Sequence, residues 1–372
     1  MKRGRKKALV LVGCALLCLA LSVETAYLWL PATVDLARGL PGVGFGRMHR
    51  LEQSVLGAWD AAARLCVDAS SVATIKPPAQ ALDSLWPPAP LQPIIAAPSL
   101  VGEGLWEPFA PQCRAADVPA DVMVRAQLRV DGQRPDVTVT LLAMDMRRLR
   151  LRLRPGSDVG GSGALPSGAG PLVAAFNGGF QTTHGDFGLV TSGRVWVPPS
   201  AGSATLAVRP DGRLWMGLWR QGLELGGLEL RQNLQPLLQG THIQPQLWLM
   251  DEGRREILGH SPTRRSGLCV RAPFTLIYVW THRGSAEALG RAMLAAGCSV
   301  GMHLDLNAFH TRFEALAQPE AAAVCAERLH PRMTDGPFPR YLTAQSRDFF
   351  VLSLRPAPLR EPVFRGEGFF DR

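Results

Sequence analysis

The fold is decided by residues 274–305, which read FTLIYVWTHRGSAEALGRAMLAAGCSVGMHLD. The stretch begins with an apolar run rich in β-branched and aromatic residues, which predicts a buried strand. Ser285 is a residue type that caps helices, the segment after it places alanine, leucine and methionine on one face, and Gly297 is a typical helix stop. A second apolar run at 300–304 predicts another strand that ends at Asp305. A strand, a helix and a strand in this order favour an α+β fold.

The rest of the chain is mostly strand-like. Period-two alternation, or short apolar runs between turn residues, predict strands at 122–130, 137–143, 149–153, 172–176, 190–197, 205–208, 214–218, 246–250, 268–270 and 348–354. One further helix is predicted over 320–329. We therefore expect strand-rich mixed sheets with few helices, in a single main domain over 112–356 that follows an N-terminal transmembrane helix and precedes a tail at 357–372.

The first thirty residues indicate export. Five basic residues between Lys2 and Lys7 precede an apolar run over 8–30 that contains only Glu24 as a charge. Such a run is long enough to span a bilayer, and the basic residues stay on the cytoplasmic side. We expect residues 1–30 to be a cytoplasmic tail and signal anchor of a single-pass membrane protein whose body is periplasmic. A cleaved secretory signal, a lipoprotein signal at Cys14 and a buried helix are the alternatives.

Two segments separate this predicted anchor from the body. Helical spacing between Leu51 and Leu65 predicts a short helical juxtamembrane segment over 31–75. Prolines then recur over 76–111, so this segment cannot form a helix or an inner strand and is interpreted as a stiff linker or a wrapping arm. Trp86 and Trp106 indicate that parts of it pack on the body.

Charge and cysteine usage restrict the partners. The net charge is +9, but five positive charges lie in residues 2–7, and no basic stripe with interleaved aromatic residues follows, which argues against a nucleic-acid partner. None of the seven cysteines forms a C-x-x-C pair, so zinc-ribbon and thioredoxin readings have no support. Export would permit disulfides, but their pairing is open, and Cys269 and Cys298 are equally well explained as small buried residues.

A first candidate site follows the strand at 172–176. The amide of Asn177 can both donate and accept hydrogen bonds, and Gly178 and Gly179 permit left-handed backbone and the close approach of a ligand. His184 lies shortly after them. The alternative interpretation is an ordinary Asn-Gly turn between strands.

Two more candidates lie at 264–265 and 301–310. Arg265, next to Arg264, can clamp a phosphate or carboxylate, although a solvated turn explains the pair as well. Alternation places His303, Asp305 and Asn307 on one face if the chain is extended there, with His310 close behind. Such a set suits acid–base work or a metal, and a satisfied polar cluster at a strand end is the alternative.

These segments, in this order, resemble the phosphodiester glycosidase domain family. The similarity rests on 176–180 (FNGGF), on 204–212 with its Asp-Gly turn, on 265–269 (RSGLC), and on the helix end at 295–298 that leads to the strand ending at Asp305. It covers about residues 170–350. The family's glycines and serine after the aspartate are replaced here by Leu306–His310.

The resemblance implies a hydrolase of glycosyl phosphodiesters or related envelope glycans. It implies Asp305 as a general acid/base or nucleophile, Arg265 as the phosphate-stabilising group and Asn177 as a ligand of substrate hydroxyls. The expected substrate-binding residues are Gly178, Gly179, His184, His303, Asn307 and His310. The partners would be the membrane, through the N-terminal helix, and a sugar phosphodiester or envelope polysaccharide.

Two other functions stay open. The replaced loop at 306–310 and the proline-rich arm favour a non-catalytic glycan-binding or scaffold protein of the envelope. No cofactor is predicted, but the third hypothesis is a metal-dependent hydrolase whose divalent ion would be held by side chains from the set His184, Asp186, Asp251, His303, Asp305 and His310.

Overall fold

The structure is a computed structural model. It describes residues 75, 86–112, 114–165, 171–181, 184–220, 225, 227–245, 248–251, 254–257, 262–271, 274–317, 324–334 and 336–359, with backbone only for 248–251 and 254–257. The predicted N-terminal anchor, nearly all of the juxtamembrane segment and the tail after 359 lie outside this part. None of the helices within it is both long and apolar enough to cross a membrane.

The largest unit is an eight-stranded antiparallel sheet. Its strands are β1 (Glu107–Pro108), β2 (Met123–Arg129), β3 (Thr138–Asp145), β11 (Leu238–Gln239), β12 (His242–Ile243), β15 (Thr263–Arg271), β16 (Thr275–Gly284) and β17 (Val300–Asp305). Their spatial order is β1-β2-β3-β16-β15-β17-β11-β12.

Two five-stranded sheets and a two-stranded ribbon complete the described strands. One sheet has the order β19-β18-β5-β20-β4, the other the order β7-β6-β10-β8-β9. The first contains β4 (Leu149–Arg154), β5 (Leu172–Asn177), β18 (Phe313–Ala317), β19 (Cys325–Arg328) and β20 (Phe349–Leu354). The second contains β6 (Leu189–Thr191), β7 (Arg194–Val197), β8 (Ala204–Val208), β9 (Leu214–Leu218) and β10 (Glu229–Gln232), and the ribbon pairs β13 (Trp248–Asp251) with β14 (Arg254–Ile257).

One α-helix, α1 (Ala286–Ala295), lies among the described residues. The hydroxyl oxygen of Ser285 accepts a hydrogen bond from the Ala288 amide at 3.1 Å and so caps the first turn. Gly297 follows the last turn with φ 78°, a left-handed conformation that glycine adopts at no steric cost. The strand–helix–strand prediction for 274–305 is confirmed, and the strand-rich fold with little helix is confirmed with it.

The two faces of the eight-stranded sheet carry the two main core clusters. One face packs the two leucines and the methionine of α1 against residues such as Ile277. The opposite face packs against the β4–β5–β18–β20 sheet, where Phe176 stacks on Phe313 at 5.3 Å and on Phe350 at 5.1 Å and meets Tyr278 edge-on at 5.4 Å. Each such buried ring contributes about 2–3 kcal/mol of apolar transfer free energy. This aromatic cluster holds the end of β5, and therefore Asn177, in place.

Two predicted elements differ from the structure. The helix predicted over 320–329 is wrong for Cys325–Arg328, which form β19 antiparallel to β18. Pairing with a neighbouring strand outweighs the local helical preference of these residues. The single strand predicted at 190–197 is two strands, β6 and β7, because a turn with positive φ at Ser192 and Gly193 reverses the chain.

The described part of the proline-rich arm lies against the body. Leu91, Ile94 and Ile95 are buried, and the Trp86 indole donates to the carbonyl of Asp121 at 2.7 Å. On the same face of the sheet, Cys269 and Cys298 form a disulfide that ties β15 to the segment after α1.

Candidate functional site

A narrow polar cleft opens where β5 and β17 end and β20 begins. Its lining is formed by Asn177, Gly178, Gly179, Asp305, His310, Arg340, Tyr341, Gln345, Arg347, Asp348 and Phe349. The space left between these side chains is about 10 Å³, which is near the volume that one water molecule needs. We call this group of residues the cleft. It contains two of the three predicted catalytic residues, Asn177 and Asp305.

Asp305 is a buried carboxylate with its oxygens occupied. Oδ2 lies 2.6 Å from Nη1 of Arg347, and Oδ1 accepts the backbone N–H groups of Leu306 and Asn307 at 2.7 and 2.8 Å. Burial raises the pKa of Asp305, and the charge of Arg347 and the two amide donors oppose that rise. These amides belong to the loop over 306–310, and here they bind the chain's own carboxylate.

Asn177 is hydrogen-bonded through every donor and acceptor of its amide. Nδ2 donates to the carbonyl of Gly178 at 2.8 Å and to the hydroxyl of Ser266 at 3.0 Å, while Oδ1 accepts from the Tyr278 hydroxyl at 2.8 Å and the Arg312 amide at 3.1 Å. An amide side chain offers two donors and two acceptor sites. Asn177 therefore serves as a brace between β5, β15, β16 and β18.

At two positions of the cleft, Gly178 and Gly179, neighbouring side chains leave little room for a Cβ atom. Neither has a positive φ, so neither uses the left-handed backbone that glycine permits. A Cβ on Gly178 would lie 1.9 Å from Oδ2 of Asp348, and one on Gly179 would lie 3.1 Å from the Asn233 side chain. The predicted close approach is real, but the group that approaches Gly178 is a carboxylate of the same chain.

A buried ion pair forms one wall of the cleft. Arg231 donates from Nε and Nη2 to the two oxygens of Asp348 at 2.8 and 3.0 Å, and its side chain has no exposed surface. The same guanidinium also donates to the carbonyls of Gln232 and Phe180, both at 2.5 Å. Bidentate contacts of this kind fix the orientation of a carboxylate. Asp348 is thus a second carboxylate held in the cleft.

Another wall of the cleft is cationic. The Arg340 guanidinium donates to Gln345 Oε1 at 2.9 Å and to the carbonyl of Phe309, and its Nη2 lies 3.2 Å from Nδ1 of His310. Within the described part of the chain this guanidinium makes no ion pair with a carboxylate. Burial, followed by the charges of Arg347 and Arg340, lowers the pKa of His310 to about 3, so its imidazole is neutral at physiological pH.

Two predicted site residues, Arg265 and His303, lie on the other face of the eight-stranded sheet. Arg265 is fully buried, donates from Nε to the carbonyl of Gly284 at 3.0 Å, and has Nη1 3.3 Å from Nε2 of His303. Burial lowers the pKa of Arg265 to about 9. Burial and the Arg265 charge hold the pKa of His303 well below its usual range, and its ring stacks on Phe180. Neither residue lines the cleft.

A β-bulge separates His303 from Asp305. Gly267 pairs with His303, and the adjacent Ser266 pairs with Asp305. One step along β15 therefore corresponds to two steps along β17 at this point. A bulge shifts the alternation of side chains by one position. The prediction that His303, Asp305 and Asn307 share one face is therefore wrong.

The remaining predicted residues lie around the cleft without lining it. Asn307 is exposed, and its Oδ1 accepts the Phe309 amide at 2.9 Å within the turn after β17. His184 is half-buried, and its charge acts to lower the pKa of Asp305. The side chain of Asp251 is outside the described residues. Among the side chains that the structure does describe, no three from His, Cys, Asp and Glu come together in a way that could hold a metal ion.

Three charged cleft residues, Arg340, Arg347 and Asp348, were not predicted from the sequence. Asp348 precedes the strand β20, and the two arginines lie in the loop before it. A polar residue at the start of a buried strand is a weak signal, but it is the same signal that identified Asn177 and Asp305 at strand ends. Together these groups offer two fixed carboxylates and two arginines around one small volume, which suits acid–base chemistry beside an anion.

Comparisons with known proteins give a likeness of fold. No family model matches the chain, and no curated protein sequence does. A solved structure of the zebrafish N-acetylglucosamine-1-phosphodiester alpha-N-acetylglucosaminidase catalytic domain, auto-inhibited by its pro-peptide, aligns with 67% of this chain and 88% of its own at 12% identity and a TM-score of 0.37. A hypothetical protein from Synechocystis aligns over 64% and 65% at 9% identity and 0.33.

A third solved structure, of a protein from Burkholderia pseudomallei K96243, aligns with 58% of this chain and 74% of its own at 11% identity and a TM-score of 0.36. The chain is thus similar in part of its backbone to a glycosidase catalytic domain and to two other solved proteins.

Proposed function

We propose that this chain is an exported hydrolase that cleaves a sugar phosphodiester in the cleft. The observation that carries the proposal is that two buried carboxylates, Asp305 and Asp348, each held by an arginine, line one cleft with the cationic Arg340. Glycoside hydrolysis commonly uses two carboxyl groups, one as acid and the other as base or nucleophile. The sequence resemblance to phosphodiester glycosidases supports the same reaction.

The burial of Asp305 supports its role as the general acid. A raised pKa keeps a carboxyl group protonated closer to neutral pH, where it can give its proton to the leaving oxygen. Asp348 would then act as the base or the nucleophile. In this proposal Asn177 positions these groups through its four hydrogen bonds and does not bind substrate hydroxyls itself.

Arg340 takes the phosphate-binding role that the sequence resemblance implied for Arg265. Arg265 is buried on the far face of the sheet, whereas the Arg340 guanidinium lines the cleft with no carboxylate partner among the described residues. A guanidinium binds phosphate oxygens in a planar, bidentate manner. Its neighbour His310 is neutral and adds no competing charge.

The proposed location is the outer face of a membrane. The basic tail and the apolar run over 8–30 support a signal anchor. The disulfide between Cys269 and Cys298 supports it independently, since such bonds persist in oxidising compartments and are rare in the cytosol.

A second function, binding without turnover, is favoured by the size of the cleft. A volume of about 10 Å³ admits one water molecule and no sugar. Hydrolysis therefore requires the loop that carries Arg340, Gln345 and Arg347 to move away from β17. A glycan-binding protein would use the same cationic wall and would need no such opening.

The test is turnover by the full-length protein, purified in mild detergent, on a panel of methyl esters of sugar 1-phosphates, with free sugar measured by chromatography. Asp305→Asn should abolish release, and Arg340→Gln should raise KM. Asp136→Asn serves as the matched control, because this exposed carboxylate pairs with Arg283 outside the cleft. Sugar release that persists in Asp305→Asn would contradict the assignment. Saturable binding without release, lost in Arg340→Gln, would favour the second function.

A further inference from the structure

The edge strand β4 carries a regular row of arginines. Its sequence, LRLRLR, places Leu149, Leu151 and Leu153 in the core between the sheets. Arg150, Arg152 and Arg154 therefore project from the opposite face, where each is partly exposed. Alternate side chains of a strand lie about 6.8 Å apart, so the row repeats its positive charge at that interval. We call these three residues the arginine row.

The row has little compensation from its own chain. Arg154 donates from Nε to the carbonyl of Ala164 at 3.1 Å. Arg150 and Arg152 make no hydrogen bond and no ion pair with any residue that the structure describes. Arg355 adds another positive charge near Arg150. After burial, the charge of Arg150 is the next cause that lowers the pKa of Arg355.

The carboxylate of Glu229 interacts electrostatically with the row but is hydrogen-bonded to the backbone of β4. It accepts the Leu153 amide at 2.5 Å, on the edge of β4 that pairs with none of the described strands. Burial raises the pKa of Glu229 to about 6 against the opposing charges of the three arginines. Charged residues on an edge strand often discourage edge-to-edge pairing. Here Glu229 already occupies that edge, while the arginines leave the strand on its face.

The row leads to the cleft. β4 pairs with β20 so that Arg154 lies opposite Phe349, which lines the cleft next to Asp348. The loop after β4 then contacts the cleft loop directly, with the Ser157 amide donating to the carbonyl of Gln345 at 3.1 Å. A ligand that follows β4 from Arg150 to Arg154 thus arrives at the candidate active site.

We infer that the arginine row binds a linear polymer whose repeating units are joined by phosphodiesters and directs it to the cleft, an inference that rests on the proposed function. Regularly spaced guanidinium groups on one line fit successive phosphates of an extended chain. A single strand of nucleic acid is less suitable, because the residues between the arginines are buried leucines and offer no aromatic platform for bases. A lipid surface would be bound by a planar patch of basic residues and not by a single line of arginines.

The experiment measures binding and turnover separately on the full-length protein in detergent. The probe is fluorescently labelled poly(glycerol phosphate), with affinity measured by anisotropy at several salt concentrations. The triple variant Arg150→Gln/Arg152→Gln/Arg154→Gln is compared with a charge-matched control, Arg134→Gln/Arg283→Gln/Arg291→Gln, whose residues lie on other elements. Thermal unfolding of both variants checks that they fold.

The row variant should bind the polymer at least about tenfold more weakly, and the slope of log affinity against log salt should fall by about 2, since each lost phosphate contact removes about 0.7. The control should bind as the wild type does. Hydrolysis of a sugar 1-phosphate methyl ester should be unchanged in the row variant, so a failure of the proposed function is seen in that assay alone. Equal polymer affinity of both variants would overturn the inference. Stronger binding to phosphatidylglycerol vesicles or to oligo(dT) than to the polymer would overturn it as well.

Discussion

Nη1 of Arg347 lies 2.6 Å from Oδ2 of Asp305, and this pair joins the end of β17 to the loop before β20. Arg347 is the largest of the influences that lower the pKa of Asp305, while burial raises it. The protonation of the candidate acid therefore depends on an arginine 42 positions further along the chain. Movement of that loop would change both the room in the cleft and the pKa of Asp305.

Arg347→Gln should move the pH profile of kcat. Without the positive charge the pKa of Asp305 rises further, so the limb of the profile that Asp305 controls shifts to higher pH. Arg347→Lys keeps the charge and should leave that limb near its original position. The measurement is kcat against pH with a sugar 1-phosphate methyl ester. A limb that stays in place, or moves to lower pH, would argue against Asp305 as the titrating group.

Asn177→Asp should destabilise the fold, although it only replaces the amide nitrogen Nδ2 with a carboxylate oxygen. The new carboxylate oxygen would face the carbonyl of Gly178, where Nδ2 now donates at 2.8 Å. Loss of a buried donor costs about 1–3 kcal/mol. Tyr278→Phe, which removes one donor to Oδ1, should cost about 1 kcal/mol. Urea unfolding of both variants gives the comparison, and an aspartate variant as stable as the wild type would contradict the bracing role.

Gly178→Ala should be more disruptive than Gly179→Ala. The added methyl group would lie 1.9 Å from Oδ2 of Asp348, a group fixed by Arg231, whereas at Gly179 the nearest atom is 3.1 Å away. Overpacking of this kind costs about 1–3 kcal/mol, and displacement of a buried ion pair adds to it. Melting temperatures of the two variants test the order, and the reverse order would refute this account of the cleft wall.

Stability should fall in acid partly because of His282. Burial, followed by the Arg332 charge, lowers the pKa of this imidazole from 6.5 to about 2. Below pH 6.5 the His282 side chain binds a proton in the unfolded chain but not in the folded chain. The free energy of unfolding therefore falls as the pH falls below 6.5, by about 1.4 kcal/mol per pH unit. His282→Gln should flatten the decline. Urea unfolding at pH 7, 6 and 5 measures it, and identical slopes would count against a neutral, half-buried histidine.

Local pattern alone was enough to predict the fold class and most of the strands. The strand–helix–strand unit at 274–305 follows from side-chain periods of 2 and 3.6 and from Ser285 and Gly297 at the helix ends. The same reasoning places Asn177 and Asp305 at strand ends, because an apolar run that stops at a polar residue marks where a sheet reaches its rim. These features depend on a few neighbouring residues, so the amino-acid sequence contains them directly.

Tertiary structure decided which side chains meet. The bulge that separates His303 from Asp305 arises from the pairing of β15 with β17, and β19 forms a strand because β18 pairs with it. Contacts between residues far apart in the chain bring Arg231, Arg340, Arg347 and Asp348 to the cleft and leave Arg265 behind the sheet. The sequence by itself determined most of the strands, the helix and the strand ends that carry Asn177 and Asp305. The register between distant strands decided the site, because a shift of one residue turns a side chain to the opposite face.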